Sequence, residues 1–128
     1  MNYDDYIASY NSPDENAKAV FFTEDVIVES PVAKFHSRQE LLDSLAAAHK
    51  FAKEELRPIN VVRQGDFIMA ELDAAFSAFE DDPNNFFHPF KKGECRAWRF
   101  FAVYKLRNDK ISELRLAFWP GGWEIPAF

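Results

Sequence analysis

Between Glu94 and Pro120 the chain reads ECRAWRFFAVYKLRNDKISELRLAFWP, two long β-type runs on either side of the polar tetrapeptide Arg107-Asn108-Asp109-Lys110. Trp98, Phe100, Ala102, Tyr104 and Leu106 fall on one face of the first run, Phe101 and Val103 on the other, so both faces need cover. In the second run Leu114, Leu116 and Phe118 alternate with Glu113, Arg115 and Ala117. A long hairpin with two covered faces belongs at the centre of an antiparallel sheet, because an edge would leave it half wet and open to foreign strands. The remaining chain must supply that cover.

A chain of 128 residues is a single domain, 1–128, long enough to bury a core. With 14 Phe and 16% aromatic residues, it builds either a thick core or an apolar cavity. The net charge of −6 and the scattered Lys and Arg argue against nucleic acid or an anionic membrane as a partner. The one cysteine, Cys95, excludes an internal disulfide and a Cys-only metal site, and fits a cytoplasmic protein. No apolar leader follows Met1, and no apolar run approaches the roughly 20 residues of a membrane span.

In chain order, Tyr3, Tyr6, Ile7 and Tyr10 make the stripe of a short helix, with Asp4 and Asp5 in its first turn. Ser12-Pro13-Asp14-Glu15 reads as the capped start of a second helix burying Ala17, Val20 and Phe21. Val26–Ser30 and Lys34–His36 read as a short hairpin. Ser37 and Glu40 cap a third helix, predicted to run to about Lys53 with Leu41, Leu42, Leu45, Ala48 and His49 on its stripe. Leu56–Gln64 and Phe67–Phe79 are strands joined by a turn at Gly65-Asp66. Both faces of the second carry apolar residues, so either can point inward. Residues 80–93 (EDDPNNFFHPFKKG) form an irregular segment that Phe86, Phe87 and Phe90 make unusually apolar. The order predicts an α+β domain, with about three N-terminal helices packed on one face of a mostly antiparallel sheet.

The pieces Tyr6-Ile7-Ala8…Asn11, Phe21–Pro31 (FFTEDVIVESP), His36–Leu41 (HSRQEL) and Asp109–Leu114 (DKISEL), in this order and spacing, make the chain similar to the nuclear transport factor 2-like (SnoaL-like) superfamily. The resemblance implies a cystatin-like, strongly curved cone with a pocket between helices and sheet, and in many members a homodimer formed through the sheet. It implies no particular reaction. Against the ketosteroid isomerase pattern Tyr6 matches, but Ser30 stands at the base position and Ala102 near the late Asp, and neither can accept a proton as a carboxylate does. Trp119 stands where SnoaL-like cyclases carry an Asp. Tyr10-Asn11 replaces the Tyr-Asp of scytalone dehydratases. The sole R-x-D, Arg107 to Asp109, lies in a turn rather than on a strand as in limonene epoxide hydrolases.

Two functions remain open from the residues. The first is a pocket for a small apolar, ring-like or acyl molecule, with isomerase, dehydratase or cyclase chemistry and no cofactor. Tyr6, His36 and Asp73 are its catalytic candidates, and Tyr10, Ser30, Trp98, Phe100, Ala102 and Trp119 its ligand contacts. The second is a non-catalytic binding or dimerisation domain whose cavity is filled by Phe and Trp, with the tail residues Trp119, Trp123 and Phe128 plugging the mouth or crossing to a partner. His49 reads as a histidine at the core edge. Glu71 and Asp73 read as strand neighbours of Arg99, Lys105 and Arg107. His36, His49 and His88 are too scattered for a metal site.

Overall fold

The computed structural model describes residues 1–119, the backbone of 124–125, and residue 128. Two α-helices, α1 (Tyr3–Tyr10) and α2 (Arg38–Ala48), lie against a sheet of β1 (Phe22–Glu29), β2 (Lys34–Phe35), β3 (Ala52–Gln64), β4 (Phe67–Ala78), β5 (Cys95–Arg107), β6 (Lys110–Phe118) and β7 (Glu124–Ile125). The spatial order is β2-β1-β6-β5-β4-β3, with β7 beside β5. All pairs are antiparallel except β1 with β6. The final hairpin is therefore central, as its two apolar faces require. Its turn is Asn108-Asp109, both at positive φ (51° and 63°), the left-handed pair that matches strand twist in a two-residue hairpin. Register slips at Pro58/Asn60, at Lys105/Leu106 and between Phe22 and Ile27 bend the sheet into a curve.

Even-numbered residues of β4 (Ile68, Ala70, Leu72, Ala74, Phe76, Ala78) are buried, and Met69 and Phe67 on the other face are exposed. This resolves the ambiguity of that strand, because its even face looks toward the helices. Among the described residues no helix is long and apolar enough to cross a membrane.

The N-terminal region has two α-helices, not three. Ser12 Oγ accepts from Asp14 N, and Asp14 Oδ1 accepts from Asn16 N. These local turns compete with helix extension, and only a 3₁₀ turn, Ala17–Phe21, follows. Val20, expected inside, is 65% exposed, while Lys18 is 1% exposed. Helix α2 starts as expected, with Ser37 accepting from Glu40 N and Glu40 Oε2 accepting from His36 N. It stops at Ala48 rather than about Lys53, because Ala52, fully buried, pairs with Ala78 at the start of β3. Sheet pairing here overrides a helix-compatible sequence. The Asn11 side chain clamps α1 to β3 by pairing with both backbone groups of Leu56 (2.9 and 2.8 Å), which satisfies part of an edge strand.

Candidate functional site

The inward face of the cone divides into a filled end and an open end. At the filled end the segment after β4 folds back. Phe90 is 1% exposed, and Asp82 and Phe90 bond to each other through their backbones. The Trp98 ring packs on Phe76, Phe87 and Phe90 at centroid distances of 5.9, 5.1 and 6.2 Å. Trp98 is thus core, with no ligand-accessible ring face.

At the open end lies a cleft in two connected parts. The inner cavity, about 70 Å³, is walled by Tyr6, Tyr10, Phe22, Leu41, Leu45, Leu56, Leu72, Phe100, Tyr104, Leu114 and Leu116, with Glu54 as its one charged group. A cavity that size holds about five water-sized groups. It widens into a mouth of about 460 Å³ between Ser30–Phe35, the end of α2, and Phe86, Phe87 and Phe118. Tyr10, Leu45, Glu54, Phe100 and Leu116 border both parts.

Glu54 enters from β3 between Ala52 and Leu56, two residues buried on the same face. Its Oε2 accepts from the Tyr10 hydroxyl (2.9 Å) and meets His49 Nε2 (2.7 Å). The opposite ring nitrogen, Nδ1, meets Glu15 Oε1 at 2.7 Å, and Lys18 Nζ donates to that same Oε1 (2.9 Å) and to the Glu15 carbonyl (3.1 Å). Lys18 also sits 4.8 Å from the centre of the Tyr10 ring, a cation–π contact. Lys18, Glu15, His49, Glu54 and Tyr10 therefore form one continuous row behind the cleft. Because the carboxylates take opposite nitrogens of the imidazole, they bracket it instead of converging on a point. Among the described residues no cluster of three or more such side chains is placed to hold a metal.

Burial alone would strip the proton from His49, but the hydrogen bonds and charges of Glu54 and Glu15 outweigh it and hold the pKa above its ordinary value of 6.5. Burial likewise favours a neutral Glu15, and Lys18 and His49 reverse that and lower its pKa. Burial first, and the Glu54 charge second, push the Tyr10 phenol well above its usual range. Burial does the same to Tyr6 and Tyr104, so all three remain hydroxyl donors. The Tyr104 hydroxyl is 3.1 Å from that of Tyr3, and its ring packs edge-on against Tyr6 at 5.8 Å, closing the cavity floor.

A raised folded-state pKa means that the His49 proton stabilises the native state fully below pH 6.5, and that this contribution disappears as pH rises through the folded value. The stability difference between wild type and His49→Gln, followed by urea denaturation from pH 6 to 9, is expected to shrink as pH rises. A difference that grows with pH would contradict the bracketed imidazolium.

The sequence candidates separate on this map. Tyr6 and Phe100 line the inner cavity, Tyr10 borders cavity and mouth, and Ser30 lies in the mouth. His36 is exposed in the connection between β2 and α2 and borders no part of the cleft. Asp73 lies on the outer face of β4, buried against Arg99, which reaches it through Nε and, at 3.2 Å, Nη2. It is the cross-strand pair that its register opposite Arg99 demands. Ala102 is buried in the sheet between Ala70 and Leu116 and lines neither part. Trp119 is exposed, 5.8 Å from the Phe101 ring on the outer face. Trp123 lies outside the described residues, and the Phe128 ring sits 4.1 Å from the Arg57 guanidinium. Glu54 escaped the sequence reading because the third helix was expected to cover Lys53. Starting β3 at Ala52 puts Ala52, Glu54 and Leu56 on one face, a lone carboxylate between two buried side chains.

A family model described as the SnoaL-like domain matches residues 3–114. The chain belongs to the SnoaL-like family. No curated protein matches this SnoaL-like sequence. Among solved structures it is similar to a putative polyketide cyclase from Pseudomonas putida (19% identity, 94% of this chain and 91% of that one, TM-score 0.79). It is also similar to an NTF2-like protein of unknown function from Burkholderia pseudomallei (13%, 91% and 87%, 0.73). A third is an LEH-like epoxide hydrolase from M. tuberculosis (11%, 91% and 79%, 0.71). At these identities the likeness establishes the nuclear transport factor 2-like fold and no shared reaction.

Proposed function

We propose that this SnoaL-like domain binds a small apolar, ring-like or acyl molecule in the cleft, with the ligand's one polar hydrogen directed at Glu54. The observation that carries this is the pairing of the inner cavity's apolar wall with a single half-used carboxylate. Glu54 Oε2 is occupied by Tyr10 and His49, and Oε1 accepts no hydrogen bond from the described residues. Ligand sites commonly combine an apolar wall with few polar groups that fix orientation. Isomerase, dehydratase or cyclase chemistry here would run through the same oxygen, with Tyr6 or Tyr10 as hydroxyl donor, because Asp73 and His36 lie elsewhere. Titration with the neutral fluorophore N-phenyl-1-naphthylamine is expected to show saturable binding with one site per chain. No enhancement at dye concentrations up to its solubility would overturn the reading.

The filled end belongs to the second reading, an aromatic-packed interaction domain, and the outer sheet face gives that reading a surface. Val62, Met69, Phe101 and Trp119 are exposed there, around a shallow depression bordered by Glu71 and Arg115. We propose that two copies pair through this face, since a contiguous apolar patch on a sheet marks an interface. Sedimentation equilibrium is expected to give a dimer that Phe101→Glu converts to monomer; a wild-type monomer throughout would remove the proposal.

A further inference from the structure

The row behind the cleft alternates in sign. Lys18 is cationic, Glu15 anionic, His49 cationic between two carboxylates, and Glu54 anionic at the cleft wall, each in contact with the next at 2.7–2.9 Å. The four charges sum to zero, but the row ends on a minus sign. Glu54 Oε1 is its terminus. Among the described residues Thr23 Oγ1 is the side-chain polar atom sealed without a partner, so Glu54 Oε1 is not sealed; Glu54 borders both parts of the cleft and also a pocket of about 310 Å³ that it shares with His49 and Lys53.

Among the described residues the cation that meets this carboxylate is His49, at Oε2, and it lines neither part of the cleft. Among the described residues no Lys, Arg or His lines either part, and the second charged group at the mouth is another carboxylate, Asp82. Aromatic rings surround the position: Tyr6, Tyr10, Phe22, Phe100 and Tyr104 all border the inner cavity with Glu54. Ring faces attract cations, and most strongly where water is excluded. The protein already uses one of these rings so, with the Lys18 ammonium over Tyr10. An anion would instead meet Glu54 at close range in an apolar setting, where like charges repel far more than in water. A net charge of −6 also draws cations toward the mouth.

We propose that the cleft is selective for an amine-bearing apolar molecule, whose protonated nitrogen is held by Glu54 Oε1 among the tyrosine and phenylalanine rings while its apolar body occupies the mouth. This rests on the reading of the cleft as a ligand site, and it assigns Glu54 to anchoring. An ammonium N–H on Oε1 continues the alternation by one member and completes the carboxylate's hydrogen bonding. The inner cavity has room for the ammonium and the few carbons next to it, and the mouth for a ring.

Three probes of one skeleton separate the possibilities: 4-phenylbutylamine (cationic at pH 7), 4-phenylbutan-1-ol (a neutral donor) and 4-phenylbutanoate. Each is titrated against N-phenyl-1-naphthylamine bound to the full chain. The amine is expected to displace the dye about tenfold more tightly than the alcohol, as charge-assisted hydrogen bonds and desolvated cation–π contacts allow, and the carboxylate least well. Glu54→Gln should remove the advantage of the amine over the alcohol. Because that variant also disturbs His49, salt supplies a second readout on the wild type. Raising NaCl should weaken the amine and leave the alcohol unchanged. If the alcohol binds as tightly as the amine, or the carboxylate as tightly as either, the amine assignment is overturned while the cleft stands. If the dye itself does not bind, the cleft reading falls and takes this one with it.

Discussion

Phe90→Ala is expected to cost about 3–5 kcal/mol, the range for removing a fully buried ring. In a domain of ordinary stability, about 5–15 kcal/mol, that is a large fraction. The residue lies in a segment with no helix or strand of its own, where substitutions are usually tolerated. Its ring, however, is wedged between His88 and Trp98, at centroid distances of 4.9 and 6.2 Å. Its backbone also donates to and accepts from Asp82. Losing it would leave a void under Trp98 and release the segment that seals the filled end of the cone. Phe86, four residues earlier and 61% exposed, is the control, with Phe86→Ala expected to change stability by less than about 1 kcal/mol. Urea denaturation of both variants decides the matter. Equal, small effects would mean that the segment is a surface loop and not part of the core.

Leu45→Trp is expected to weaken N-phenyl-1-naphthylamine binding at least tenfold while leaving the fold intact. Leu45 faces the cleft from α2, is half-buried, and borders both the inner cavity and the mouth. A larger ring there enters open space instead of displacing packed neighbours, so the overpacking cost stays near the low end of about 1–3 kcal/mol. Leu41, one turn earlier, is buried, and the same change there would collide with the core. Dye titration and thermal unfolding are run together on the variant. Unchanged affinity in a folded Leu45→Trp protein would place the ligand elsewhere.

Both expectations depend on features that differ in how openly the sequence displays them. The aromatic density of residues 80–93 is plain in the string, and an apolar loop has to bury its rings somewhere. That it buries them against Trp98, and so fills one end of the inward face, follows only when β4 and β5 are paired and curved. His49 was visible on the α2 stripe as an edge residue. Its two carboxylate partners come from Glu15, 34 positions away, and Glu54, across the turn into β3, and no local pattern joins them. Asp73 illustrates the converse. Its cross-strand pairing with Arg99 was legible from strand alternation, but its placement outside the cleft depended on which face of β4 the helices cover.

What the sequence determined by itself is the hairpin with its Asn108-Asp109 turn, the central place of β5 and β6, the capped start of α2, and an α+β class with helices packed on one face of the sheet. Each follows from short-range rules: side-chain period, turn chemistry and caps act over a few residues. Tertiary structure alone decided where α2 ends, that Ser12–Asn16 makes turns instead of a helix, which strand face looks inward, and that one carboxylate, Glu54, stands in the inner cavity. Those outcomes depend on sheet register and curvature, which couple residues tens of positions apart, and a one-residue shift in where β3 begins would turn Glu54 from the cleft to solvent.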